Sequence, residues 1–259
     1  MQEPKIIYED ENFLAVDKPA GLLVHGARFM DYGSKNFEPR TMNYEPTLVD
    51  WLVERYPEIK GVGDPVKLPN GNYGAGDPNR PGIVHRLDRG TSGVMLVARN
   101  QKYFEYLKSL FQKHEIKKTY LALVRGELKE KHGIIDRPLG IKSGTTKRTV
   151  HSAKMAKSAV TEYSVLRSSG GCSLLEVRPR TGRTHQIRVH LASIGHPVVG
   201  DKLYGPKKLL TTNHSPLTTR LMLHALAIEF TTVEGRRIKI EADPPPEFLQ
   251  NSESLNSKP

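Results

Sequence analysis

The sequence predicts an α+β protein, because helical and strand patterns alternate irregularly along its 259 residues and no segment repeats another. Three observations carry that expectation. A Ser-Ser-Gly-Gly turn at 168–171 joins two runs of strand-forming residues and is the strongest hairpin signal in the chain. Two stretches, 47–56 and 100–114, repeat apolar residues at helical spacing. Between them, Val94 to Ala98 is an unbroken apolar run that reads as a buried strand.

Taken in order, 6–8 and 13–17 flank an Asp-Glu-Asn turn and form a first hairpin that closes at Lys18-Pro19-Ala20-Gly21. The polar, aperiodic stretch 26–46 is a long surface loop. Thr47 then caps a helix to about 56, with Asp50 placed to reach back to the cap and Leu48, Trp51 and Leu52 on one face. A second loop, 61–80, is rich in Gly, Asn, Asp and Pro. After the 94–98 strand comes the 100–114 helix, whose Tyr103, Tyr106, Leu107, Leu110 and Phe111 serve core packing. Strands follow at 119–124, 161–166 and 172–178. Thr184 can cap a helix with Ile187, Leu191 and Ile194 on one face, ended by Gly195. A last hairpin, 221–230 with 236–242, turns at 233–236, and a Pro run and polar tail close the chain.

Composition narrows the class. The net charge of +11 calls for an anionic partner, and nucleic acid is favoured over a membrane surface because no basic amphipathic helix stands out. The single cysteine, Cys172, excludes an internal disulfide and a Cys-rich zinc site. The N-terminus carries charges where a secretory signal needs an apolar core, so a cytoplasmic protein is expected. The stretch 142–157, rich in Lys and Arg and free of acids, suits a mobile finger that tracks phosphates, or a solvated loop without a ligand.

Two segments are chemically loaded. In PGIVHRLDRGTSGVMLVAR, 81–99, Asp88 lies between Arg86 and Arg89 on a glycine-punctuated turn. Flanking guanidiniums favour the ionised carboxylate, so Asp88 suits a nucleophile or base; a structural Asp paired with its arginines fits the segment equally. In RPRTGRTHQIRVHLASIGHPVVGDKLYG, 178–205, Arg180 and Arg183 precede a helix N-terminus, a place that attracts phosphate or carboxylate. His185 and His190, five apart, fall on different helix faces and make no metal pair. His85 and His224 read as packing residues.

HRLDRGTSG at 85–93 resembles the signature of the RluA family of pseudouridine synthases. The blocks at 6–25, 117–126, 157–166, 180–205 and 221–230 resemble that family's other blocks, in its order, and together they span about 6–248. The resemblance implies a mixed, largely antiparallel central sheet with flanking helices and loops around an RNA-binding cleft. It also implies isomerisation of uridine to pseudouridine in tRNA or rRNA, with no cofactor and no metal. It makes Asp88 the essential carboxylate, Tyr120 the tyrosine that stacks on the base, and Arg183 the basic residue that pairs with the catalytic Asp. An ordinary strand tyrosine is the alternative for Tyr120.

Arg86 is the candidate to fill the space left by a flipped base, or else a salt-bridge partner of Asp88. Arg188, Lys147 and Arg148 are expected along the RNA backbone. Residues 1–248 are expected to form one catalytic domain, without an N-terminal S4-like domain, followed by a polar tail at 249–259. A monomer is expected. A kinase HRD loop has no Leu between Arg and Asp, and a DNA strand-transfer reading leaves most blocks unexplained. A non-catalytic RNA-binding module of the same fold is the main alternative, because charge alone would serve it.

Overall fold

The structure, a computed structural model, describes residues 2–26, 45–67, 73–74, 76–77, 79–142, 144–145, 147–151, 154–206, 211–212, 215–216 and 220–248. Most of the predicted 26–46 loop, part of the 61–80 loop and the 249–259 tail lie outside them. The chain divides into two compact units, Met1–Arg89 with Met95–Lys113, and Gly90–Val94 with His114–Pro259.

In the first unit, β1 (Lys5–Glu9) and β2 (Phe13–Lys18) form the predicted hairpin. Asp10 Oδ1 accepts the N–H groups of Asn12 and Phe13 and so fixes the turn. Helix α1 (Leu48–Arg55) starts at a complete capping box: Thr47 Oγ1 accepts Asp50 N–H, and the Asp50 carboxylate accepts Thr47 N–H. Such a cap stabilises the helix by about 1 kcal/mol. Leu48, Val49 and Leu52 are its buried residues, while Trp51 is only half-buried and lies under the Arg55 guanidinium. A short 3-10 turn (Pro57–Gly61) and the small antiparallel pair β3 (Val66–Lys67) and β4 (Tyr73–Gly74) follow.

Strand β5 (Ser92–Ala98) is buried at every position; residues 95–98 belong to the first unit and lie beside β2. Helix α2 (Gln101–Gln112) is capped by Asn100, whose side chain accepts Tyr103 N–H. Tyr103, Phe104, Leu107 and Leu110 are its buried residues, so Phe104 takes the core place expected of Tyr106 and Phe111, which are half-buried. Phe13 of β2 stacks between Tyr8 and Tyr103, at centroid distances of 4.8 and 5.4 Å.

The second unit is a mixed, largely antiparallel sheet. The first residues of β5 pair in parallel with β15 (Leu223–Thr231), His224 opposite Ser92. β15 continues antiparallel to β6 (Lys117–Arg125), and then come β12 (Cys172–Pro179), β11 (Val160–Ser169) and β7 (His132–Asp136), with β16 (Arg237–Glu241) also on β15. The predicted turn between β11 and β12 has Gly170 and Gly171 at φ 60° and 73°, the two positive φ values a two-residue hairpin loop requires.

Helix α3 (Gln186–Ser193) sends Ile187 and Leu191 into a core with Leu123, Leu175, Val177 and Val198. Its start corrects the expected Thr184 cap. The residue before the helix is His185, in the left-handed region at φ 57° and without a side-chain cap. The Gln186 side chain fixes this end instead: its amide donates to Val160 O and Thr161 Oγ1, and its carbonyl accepts Arg183 N–H and the Thr181 hydroxyl. The basic stretch contributes β9 (Arg148–Thr149) and β10 (Lys154–Lys157), which flank β8 (Leu139–Ile141) in a separate small sheet. A further pair, β13 (Thr211–Thr212) and β14 (Ser215–Pro216), completes the unit.

Candidate active site

In the first unit the loop that carries Asp88 is held from several directions. Gly82, at φ 69°, packs so closely on β5 that an added Cβ would lie 2.4 Å from Ala98 O. Ala98 donates its N–H to Gly82 O. His85 Nε2 accepts Leu96 N–H at 2.8 Å, and its ring stacks on Phe111, the packing role the sequence suggests. Leu87 is buried.

Just past Asp88, Arg89 O accepts Gly21 N–H and also the Lys18 ammonium, which donates to Pro19 O and Leu22 O as well. Lys18 is fully buried. The Lys-Pro-Ala-Gly turn is therefore a clamp on the Asp88 loop, a role that a strand-end lysine does not reveal in sequence. Arg89 turns its guanidinium to Gly21 O and Glu45, whereas Arg86 is exposed. His25 has its pKa lowered by burial first, then by the charges of Arg86 and Arg80. Its Nε2, Asn79 Oδ1 and Arg80 Nε are buried and have no hydrogen-bond partner among the described residues.

In the second unit, the residues that follow the Asp88 loop are locked from below. Gly93, at φ 108°, leaves no room for a side chain, since a Cβ would meet Ala225 O at 2.2 Å. Ser92 Oγ lies 2.9 Å from His224 Nδ1 and accepts from Arg220 Nη2, while His224 Nε2 meets Ala242 O at 3.0 Å. Burial lowers the His224 pKa, and with a carbonyl at Nε2 the ring donates there, accepts the Ser92 O–H hydrogen bond at Nδ1 and acts as a packing residue. Ser92 and His224 are both almost wholly buried, so no substrate reaches this pair.

Tyr120 is on β6, opposite Val177 on one side and Ala225 on the other. Arg183 is in the loop between β12 and α3, where its Nε donates to Ser158 O at 3.1 Å. Arg180 pairs with Glu162. Around Tyr204 the fold gathers several residues of the 178–205 block. The Tyr204 hydroxyl lies 2.8 Å from His185 Nδ1 and accepts Arg148 N–H at 3.0 Å. Arg188 stacks over its ring and makes a two-pronged pair with Asp201, at 2.7 and 2.8 Å.

Of the residues expected along RNA, Lys147 is exposed and Arg148 half-buried, while the Arg188 side chain is 11% exposed and committed to Asp201. Asp88 and Arg86 are thus in the first unit, and Tyr120, Arg183, Arg188, Lys147 and Arg148 are in the second. Sequence reasoning gives no role to Ser92 or Asp201 and reads Lys18 only as part of a turn; the Gly-Asp-Lys-Leu-Tyr-Gly run carries the signal for Asp201.

The mixed, largely antiparallel sheet with few helices defines a class, an α+β protein, in which the clamped Asp88 turn belongs to the first unit. Residues 12–193 match the family model described as RNA pseudouridylate synthase, and the chain belongs to that family, with the RluA-type pseudouridine synthases.

An RNA pseudouridine synthase of Aquifex aeolicus, itself described as uncharacterized, is 39% identical over 214 residues, 80% of this chain and 59% of that one. Ribosomal large subunit pseudouridine synthase D of Nitrosomonas europaea is 36% identical and is matched over 95% of this chain and 63% of its own. The chain therefore spans about three fifths of the length of these two relatives. The solved structure of human RNA pseudouridylate synthase domain containing 1 superposes with a TM-score of 0.69 at 24% identity, over 99% of this chain and 96% of that one, and so shares the fold.

Proposed function

We propose that this protein isomerises uridine to pseudouridine in structured RNA, tRNA or rRNA, with residues 1–248 as the catalytic domain. The observation that supports this most is the family match over 12–193, which contains the Asp88 turn, together with the clamp that holds that turn. Relatives named for the ribosomal large subunit make rRNA the first substrate to test. The N1–C1′ bond breaks, the uracil turns, and C5 bonds to C1′; the C5 proton leaves and N1 gains one, so the reaction balances without a redox partner.

Asp88 is the ionised carboxylate that cleavage needs, whether by attack at C1′ or by removal of the 2′ proton. Tyr120 is the aromatic that meets the uracil, and Arg183 is the basic residue of the reaction. Arg86, exposed on the Asp88 loop, fills the gap left by the extruded base. Lys147 and Arg148 run along the RNA backbone, and Arg188 serves the same interface through the Asp201–Tyr204 cluster. No described helix is long and apolar enough to cross a membrane, and we place the protein in the cytoplasm as a monomer.

The test is release of tritium from ribosomal RNA and tRNA labelled at uridine C5 and isolated from cells that lack this protein. One tritium per modified uridine is expected, and a lack of release from both pools would overturn the reading. RNA affinity should also fall steeply with salt, with a log–log slope of about −0.7 per single-strand phosphate contacted. A flat salt response would count against phosphate-led binding.

A further inference from the structure

We propose that Lys118 is a phosphate-binding residue of this protein: its ammonium takes a phosphodiester oxygen of the bound RNA. The inference rests on the reading of the chain as an RNA-modifying enzyme and adds to it a contact that reading does not contain.

Position is the first argument. Lys118 precedes Tyr120 by two residues on β6, so the two side chains leave the strand on the same side. Its Nζ donates to Thr181 O at 3.3 Å, a long bond, and an added Cβ on Gly182 would lie 3.9 Å from that nitrogen. The amine thus rests against the backbone of the loop that carries Arg180 and Arg183.

Charge is the second. Lys118 helps line a pocket of about 690 Å³, and the other Lys and Arg residues of that pocket, Lys117 apart, have carboxylate partners: Arg178 with Glu176, Arg180 with Glu162, Lys239 with Glu241. Glu229, on the same pocket, is taken by Arg237. Lys118 has no carboxylate among the described residues and one protein acceptor for three N–H groups. Burial alone pulls its pKa from 10.5 down to about 8, which leaves it mostly charged at pH 7.

A desolvated ammonium without a counter-ion weakens the fold that holds it, and such a group is a mark of function. What it lacks is a negative charge. A neutral base carbonyl would repeat what Thr181 O already supplies, whereas a phosphate oxygen would compensate the charge and accept a charge-assisted hydrogen bond.

The experiment compares the full-length wild type with Lys118→Met, using thermal unfolding and the binding of a fluorescein-labelled RNA stem–loop with uridines in its loop, measured across a salt series. Met keeps an unbranched side chain of similar length without the partly buried charge, so thermal stability should hold or rise. Affinity should fall about tenfold, and the log–log salt slope should flatten by about 0.7 to 0.9, the share of one phosphate. Wild-type affinity and slope in a folded variant would overturn the proposal. So would lost affinity with an unchanged slope, which would mark Lys118 as a mere support for the Thr181 loop.

Lys118→Gln keeps an N–H donor for that carbonyl and gives the same reading should the Met variant not fold. Failure here is separable from failure of the activity. A wild type that binds RNA but releases no tritium sinks the isomerase and leaves the contact, and an active wild type whose Lys118→Met variant keeps its salt slope does the reverse.

Discussion

Asp88→Asn should abolish tritium release from C5-labelled RNA, by about a thousandfold or more, and leave RNA affinity within a few-fold of wild type. Asn has the same shape as Asp but neither attacks C1′ nor takes a proton, so the chemical step loses its carboxylate. The loop is held by other groups as well. Leu87 is buried, Arg89 O is held by Gly21 N–H and Lys18, and Arg89 itself binds Gly21 O and Glu45. Thr91 and Ser92 beyond it are buried as well. The variant should therefore fold and bind, and the measurement isolates chemistry from architecture. Turnover by Asp88→Asn within tenfold of wild type would remove Asp88 from the reaction. An inactive variant that also unfolds would make Asp88 a structural carboxylate, the other role its sequence context permits.

What could be read from sequence was what is settled locally. The Thr47–Asp50 capping box, the Gly170-Gly171 turn and the hairpin at β1–β2 each arise from residues within a few positions of one another, and each stands where expected. The start of α3 was not legible in this way, because Gln186 is fixed by Val160 and Thr161, which are 26 and 25 residues away in the chain. Lys18 reads in sequence only as the start of the turn that closes the hairpin, yet its ammonium meets a carbonyl 71 residues distant. Strand β7 is not legible in sequence because it is an edge strand with Ile134 62% exposed, so its pattern lacks a clean apolar face.

For the site, the family blocks supply the candidate residues. They could not say that Arg188 spends its guanidinium on Asp201, because only the fold brings positions 188, 201 and 204 together.

That pair sets up the largest expected change in stability. The Asp201 carboxylate is wholly buried and Arg188 nearly so, and Asp201 Oδ1 also accepts the N–H groups of Leu203 and Tyr204. Asp201→Asn removes the charge and strands a desolvated guanidinium, which costs about 3–5 kcal/mol. The midpoint of thermal unfolding should drop by roughly 10 °C. Burial raises the Asp201 pKa, but the hydrogen bond and charge of Arg188, with the two N–H donors, outweigh it and leave the pKa lowered. The pair's contribution is thus complete above the ordinary carboxylate range and is lost as pH falls through the lowered value, so Asp201→Asn should flatten the acid limb of the stability curve.

The double variant Arg188→Met with Asp201→Leu separates two roles. Removing both charges together should recover most of the lost stability, since an apolar pair avoids the desolvation of both ions. If that stable double variant binds RNA as the wild type does, Arg188 acts only on Tyr204 and the start of α3. If its affinity falls and its salt slope flattens, the guanidinium also meets a phosphate.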